Sequence, residues 1–259
     1  MMLRAKTSRA MLLVSLFTMI GSLPLGAQTA TRVMVRVTAN DAKIVGSGVG
    51  GANVTIRNAE TGALLAEGVQ GGGTGNTGLI MGSRERGATI YDTDGAGGFL
   101  AEIQLREPTW VEITAEGPLG TPEALRTATR TTLLIPGRDV LGDGFILELL
   151  GFTVELTDPQ MAQGIGGEIP IEVGARVTML CGCPTSPGGT WDSDGYDIVA
   201  RVLRGGRVEQ EVTMTYSGQT SMYGGTLEPV APGVIEIEVL AMDQARGNFG
   251  AVRRRFEVR

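Results

Sequence analysis

The chain has 259 residues, 42% of them hydrophobic and 5% aromatic, with 22 basic residues set against 28 acidic ones. It contains no histidine, which excludes Ser-His-Asp and Cys-His catalysis, His-ligated zinc and the usual imidazole proton shuttles. The acidic balance also excludes nucleic acid and anionic membrane surfaces as partners, because both need clustered Lys and Arg.

Residues 1–27 read as a secretory signal. Arg4, Lys6 and Arg9 give a basic start, and Met11 to Ile20 form an apolar core too short to span a bilayer. Leu25-Gly26-Ala27 places a small residue at the cleavage point before Gln28. No cysteine follows the apolar core, so no bacterial lipid anchor is expected, and no later apolar run is long enough for a transmembrane segment. The protein is therefore expected to be exported, periplasmic or extracellular. The signal carries three of the 22 basic residues and none of the 28 acidic ones, leaving a net charge of −9 on the remainder. Roughly 230 residues remain, more than the usual ~100–150 of one domain, which predicts two.

Helix signals are scarce along the rest of the chain. Forty glycines punctuate short runs rich in Val, Ile, Thr and Leu, the pattern of an all-β sandwich or barrel. Arg32 to Ala39 alternates with period two and puts Val33, Val35 and Val37 on one face. Gly50 to Asn58 is a second strand, turning at Glu60-Thr61-Gly62 into Ala63 to Val69. Gly71 to Gly78 has no lysine or basic helix start beside it, so it is expected as a flexible loop rather than a phosphate cradle. Asp92 to Gly95 is a turn feeding the strand Phe99 to Leu105, and Trp110 to Ala115 alternates again.

The runs V-T-I-R-N-A-E-T-G-A-L-L, T-D-G-A-G-G-F-L-A-E-I and W-V-E-I-T-A-E-G resemble a carboxypeptidase regulatory-like (transthyretin-like) β-sandwich, over roughly Arg32 to Leu150. That resemblance implies a fold and no activity, since such modules accompany many functions. The insertion from Gly71 to Ala88 departs from the compact version and is expected to be a mobile loop. Phe145 to Leu156 is expected to run nearly unbroken through Gly151, with the domain boundary there: 28–150 for the first sandwich and 151–259 for the second. Little in this junction reads as flexible linker, so the halves are expected to pack together.

In the second half, Ile169 to Leu180, Asp197 to Leu203, Arg207 to Tyr216 and Thr220 to Glu228 read as strands, with a mobile turn at Gly164 to Gly167. Near the end, Ile235, Ile237 and Val239 alternate against Val234, Glu236 and Glu238, which places the two glutamates on the solvent side. The closing A-M-D-Q-A-R-G-N-F-G run resembles the final hairpin of bacterial immunoglobulin-like domains, implying a second sandwich of about seven strands.

One stretch, Met179 to Asp197, concentrates the residues able to do chemistry. Cys181 and Cys183 are two apart, so on an extended strand their Cα atoms stand about 6.5–7 Å apart, at or beyond disulfide reach. A bend at Gly182 lets them close, and export favours oxidation. Left reduced, they are a chelating pair for a soft ion such as copper(I), with Met179 as a third donor. Thiol-disulfide catalysis is disfavoured, because the usual C-x-x-C at a helix start is missing. Asp192, Asp194 and Asp197 offer alternate carboxylates for calcium, or an Asx turn feeding a strand. Trp191, Tyr196, Tyr216 and Tyr223 offer an aromatic platform for sugar or peptide, unless Trp191 plugs one end of the sandwich. The expectation is a non-catalytic binding, adhesion or accessory protein of the bacterial envelope, with an envelope protein or saccharide as partner and no resident cofactor. The alternative is a periplasmic copper-type or redox protein, and an enzyme working through carboxylates alone is the third class.

Overall fold

The computed structural model describes residues 28–159 and 169–259. The expected signal and the turn at Gly164 to Gly167 lie outside the described residues. Strand alternation sets the layers of the first half: in β1 (Thr29–Ala39) Val33, Val35 and Val37 are fully buried. The remaining strands there are β2 (Ala52–Asn58), β3 (Leu64–Gln70), β4 (Phe99–Leu105), β5 (Thr109–Gly117), β6 (Arg126–Leu134) and β7 (Val140–Leu149). They form two sheets, β4-β1-β7 and β3-β2-β5-β6. β1 runs antiparallel to β4 and parallel to β7. Val54 and Ile56 of β2 and Val111 and Ile113 of β5 fill the space between, each fully buried and each contributing about 1.5–3 kcal/mol by leaving water.

The second half holds β8 (Phe152–Asp158), β9 (Ile171–Met179), β10 (Asp197–Arg204), β11 (Arg207–Thr213), β12 (Thr215–Tyr216), β13 (Met222–Leu227), β14 (Gly233–Asp243) and β15 (Asn248–Val258). Its sheets are β12-β13-β9-β8 and β11-β10-β14-β15. The protein is thus all-β, with two β-sandwiches in series.

Four local features differ from the sequence expectation. β6 is an additional strand: its R-T-A-T-R-T-T-L-L run buries little beyond Leu134, so it carries almost no hydrophobic alternation. The run from Phe145 to Leu156 is broken, because Gly151 takes φ +137° and separates β7 from β8. Glu238 is buried rather than solvated, held by Arg253 at 2.7 Å and facing Arg201 at 3.8 Å.

The Gly71–Ala88 insertion, finally, is packed down rather than loose. It contains the short helix α1 (Thr77–Met81), whose Leu79 N–H donates to the Asn76 side chain at 3.1 Å. Ile80 of that turn is buried with Ile44, Ile90 and Tyr91 in a small cluster of its own. Further along, Asp143 accepts the backbone N–H groups of Ile90, Tyr91 and Asp92 at 2.8, 2.7 and 2.8 Å. The flanking Gly142 and Gly144 are left-handed, φ +68° and +69°, and a Cβ on Gly144 would lie 2.2 Å from the Met34 carbonyl oxygen. Burial raises the Asp143 carboxyl, but the three N–H donors and the nearby Arg36 outweigh it and leave the group below its ordinary range. Arg36 itself is 3% exposed and donates to Gly97 O at 2.6 Å and Asp92 at 2.7 Å.

The two sandwiches meet through polar contacts contributed by both. Asn248, fully buried, accepts the Gly151 N–H at 2.9 Å, and the Asn40 amide donates to Arg246 O at 2.8 Å. Arg246 pairs with Asp41 and Asp243, and Arg254 with Glu123 at 2.7 Å. Apart from Arg246 and Asp243, these partners are far apart in sequence, and each pair ties one sandwich to the other or braces a residue that does.

Candidate functional site

β9 delivers the chain to the loop at Met179, where it reverses. The Gly182 N–H donates to Met179 O at 2.8 Å and the Met179 N–H to Cys183 O at 3.1 Å. Gly182 takes φ +74°, the left-handed step that closes a tight hairpin after its turn. The reversal brings the Cα atoms of Cys181 and Cys183 to 5.3 Å, and their sulfurs are bonded. The extended-strand separation therefore does not apply, because Gly182 bends the chain. Both cysteines are about 95% buried. Bonded to one another, they are not the thiolates that a soft ion requires. Met179 is also buried, its sulfur accepting the Tyr196 hydroxyl at 3.9 Å. Thiol counting on the oxidised, unfolded protein should find no free thiol. Because the bridge closes so short a loop, replacing both cysteines by alanine should lower stability by only about 1–2 kcal/mol in a denaturant titration.

The return arm is knitted to the sheet. Thr185 donates its hydroxyl to Val177 O at 2.7 Å and shares a 2.9 Å hydrogen bond with the Tyr223 hydroxyl. Its N–H donates to Ser221 Oγ at 3.1 Å. Asp192 then caps a short 3-10 turn, Ser193–Gly195, by accepting the Asp194 and Gly188 N–H groups at 3.0 and 2.8 Å. These donors hold its carboxyl below the ordinary range. Asp197, at the start of β10, accepts from Gln244 at 3.2 Å. The three aspartates do not converge: among the described residues no group of three or more Cys, Asp or Glu is placed to hold a metal ion. Asp192 instead makes the Asx-type turn.

The aromatic residues divide into two groups. Trp191 is 7% exposed and its indole N–H donates to Asp41 O of the first sandwich at 3.2 Å, with the Lys43 ammonium 6.0 Å from its ring centroid. It therefore closes the junction between sandwiches and is withdrawn from the expected platform. Its partner is 150 residues away, which sequence patterning cannot reach.

Tyr196, Tyr216 and Tyr223 do come together. With Met214, Pro187 and Asp194 they line a cleft of about 210 Å³. Tyr216 and Tyr223 meet nearly edge to face, centroids 5.9 Å apart, and Tyr196 backs onto Phe152 at 4.9 Å. Met214 and Thr215 were legible only as strand residues; the β12–β13 pairing, Tyr216 opposite Tyr223, brings the expected tyrosines together. A larger hollow of about 340 Å³ lies beside Leu203, Val234 and Arg255 but carries no aromatic side chain.

No protein-family model and no curated protein sequence matches the chain. Among solved structures it is similar to the fibronectin(III)-like modules of CbhA from Clostridium thermocellum, at 15% identity over 88% of this chain and 92% of that one, with a TM-score of 0.27. It is also similar to a chimeric titin Z1Z2, at 13% identity over 91% and 99% of the two chains, TM-score 0.26. An engineered protein overlaps at 17% identity over 49% of this chain, TM-score 0.31, and the chain spans 24% of that protein's length. Likeness this distant carries no argument about the fold or the role of this chain.

Burial, followed by the charge of Asp243, pushes the Tyr196 hydroxyl up to about 12. A folded pKa above the unfolded value of about 10 means that the neutral form is favoured in the native state. The associated stability is fully present below pH ~10 and declines as the pH rises from there toward 12. Phenolate absorbance should show a component ionising well above the ordinary tyrosine value that is lost in Tyr196→Phe. The same titration curve in parent and variant would remove the buried setting of Tyr196.

Proposed function

We propose that the protein is an exported, non-catalytic binding or accessory module of the bacterial cell envelope, whose partner docks at the tyrosine-lined end of the second sandwich. The observation that carries this reading is the cleft itself: the half-buried Tyr196 and Tyr216 over the buried Tyr223, beside the Asp194 carboxylate, with no basic residue lining it. The first sandwich then acts as a carboxypeptidase regulatory-like spacer, a role supported by the strand order and turn chemistry of Arg32 to Leu150. No helix of the described residues is long and apolar enough to cross a membrane, which suits a partner-docking role in the envelope without implying one.

The test is comparative capture from a detergent extract of the envelope of the source cell. Wild-type protein should retain a partner, protein or saccharide, that Tyr216→Ala does not retain, while both fractionate with the envelope. Equal capture by the two, or none by either, would count against the cleft as the docking site. The soft-metal reading needs the Cys181–Cys183 bridge to be reduced first. Copper(I) titration of the reduced protein that finds no stoichiometric binding would end it.

A further inference from the structure

We infer that the Arg86–Gly87 bond is a processing site, open to an arginine-specific endopeptidase, and that the protein cut there stays folded as two interlocked fragments. The inference is independent of the tyrosine cleft and concerns the crest of the insertion in the first sandwich. Three observations carry it.

The first is exposure. Gly82 to Thr89 are eight consecutive exposed residues, the longest such run among the described residues, and none of them lies in a helix or strand. The turn at the crest is closed by the Ala88 N–H donating to Glu85 O at 3.2 Å. Gly87 is left-handed, φ +82°, and a Cβ built on it would meet nothing within 4 Å. The crest therefore stands clear of the sandwich, as the loop tips that proteases nick in folded proteins do.

The second is which arginine is offered. Arg84 is fastened: its guanidinium donates to Ile80 O at 2.7 Å and lies 5.8 Å from the Tyr91 ring centroid. Arg86 is exposed at the crest, followed by a glycine that puts no side chain in the way. Arginines in other connections are held more closely. Arg106 sits in the three-residue turn between β4 and β5, the Arg138 N–H donates to Ile135 O at 3.0 Å, and Arg246 pairs with Asp41 and Asp243.

The third is what remains after the cut. On one side Ile80 is buried in its small cluster, and on the other Ile90, Tyr91 and Asp92 are clamped by Asp143. The fragment ending at Arg86 holds β1, β2 and β3, and the fragment starting at Gly87 holds the later strands. β1 is paired between β4 and β7, and β2 between β3 and β5, so separation would have to open both sheets of the first sandwich. Hydrolysis adds one water across the amide and leaves a carboxylate on Arg86 and an ammonium on Gly87. A covalent link between β1 and the second sandwich thereby becomes one held by strand pairing alone.

The experiment treats the purified full-length protein with limiting trypsin. Fragment masses should place the first cut between Arg86 and Gly87, on the order of tenfold or more faster than any other, because the other sites must first open. The fragments should co-elute in size exclusion and part only in denaturant. Arg86→Gln should slow this first cut by about the same factor, whereas Arg138→Gln should leave it unchanged. A first cut elsewhere, an unchanged rate in Arg86→Gln, or fragments that separate without denaturant would each overturn the inference. Incubated with envelope extract of the source cell, the parent should gain a Gly87 N-terminus that Arg86→Gln does not gain. A parent chain left uncut at this bond by the extract would overturn its assignment as a processing site.

Discussion

Replacing Trp191 by alanine is expected to lower stability by about 3–5 kcal/mol, the usual loss for truncating a buried aromatic side chain. The indole is buried and fastens the loop of the second sandwich to Asp41 of the first through its N–H. Asp41 in turn holds Arg246, which also pairs with Asp243, so losing the ring loosens a connected group rather than one contact. Beyond a lower midpoint, the variant should unfold in two separable transitions where the parent unfolds in one, because the sandwiches then lose a shared interface. Trp110 is the natural control. It is 51% exposed on the outer face of β5, and Trp110→Ala should stay within about 0.5 kcal/mol of the parent. A loss below ~1 kcal/mol for Trp191→Ala in a denaturant titration would mean that the indole does not hold the junction.

Asp143→Ala is expected to release the segment that ends at Asp92. Three backbone N–H groups lose their common acceptor, and hydrogen bonds to a charged acceptor are worth more than neutral ones, so the loss should be about 2–3 kcal/mol. The damage should be local: proteolysis between Ser83 and Asp92 should accelerate while β14 and β15 keep their hydrogen-exchange protection. Acid should imitate the substitution. The carboxyl lies below its ordinary range in the folded protein, so its stabilisation is complete above the unfolded carboxylate pKa of about 4 and declines as the pH falls through the lower folded value. Protease sensitivity of this segment that is unchanged in Asp143→Ala would refute the clamp.

Strands with strict alternation were legible from the residues alone, and for a stated reason. β4 buries every second side chain, β1 alternates as far as Val35 before it is buried on both faces, and β14 sets Ile235, Ile237 and Val239 inward as its pattern requires. β6 was hidden because an edge strand made of Thr and Arg has almost nothing to bury. The glutamates of β14 misled for the opposite reason, since an arginine on the neighbouring strand lets Glu238 be buried at the register position opposite Arg253. The glycine-rich insertion packs through Ile80 on Ile44, Ile90 and Tyr91, and the last two are held by Asp143, more than fifty residues along the chain. At the candidate site, the cysteines and Tyr196 were legible as residue types at a suggestive spacing. The grouping of the three tyrosines was expected, but the departure of Trp191 toward Asp41 was not, because its partner lies in the other sandwich.

The parallel pairing of β1 with β7 has a mechanical consequence. β1 lies where the chain enters the first sandwich and β7 where it leaves, and the two pair in regular register from Val35–Phe145 to Ala39–Leu149, with Val33–Val140 beyond an irregularity. Tension applied between the start of β1 and the end of β7 pulls at opposite ends of that pair. The bonds are then loaded together in shear, instead of being opened one after another as when two antiparallel strands are peeled apart. Forced unfolding is governed by the unfolding barrier rather than by equilibrium stability, so this unit should bear load well beyond what its modest core suggests. A sandwich wired in this way resists a pull applied between Thr29 and Leu149 along its own strands.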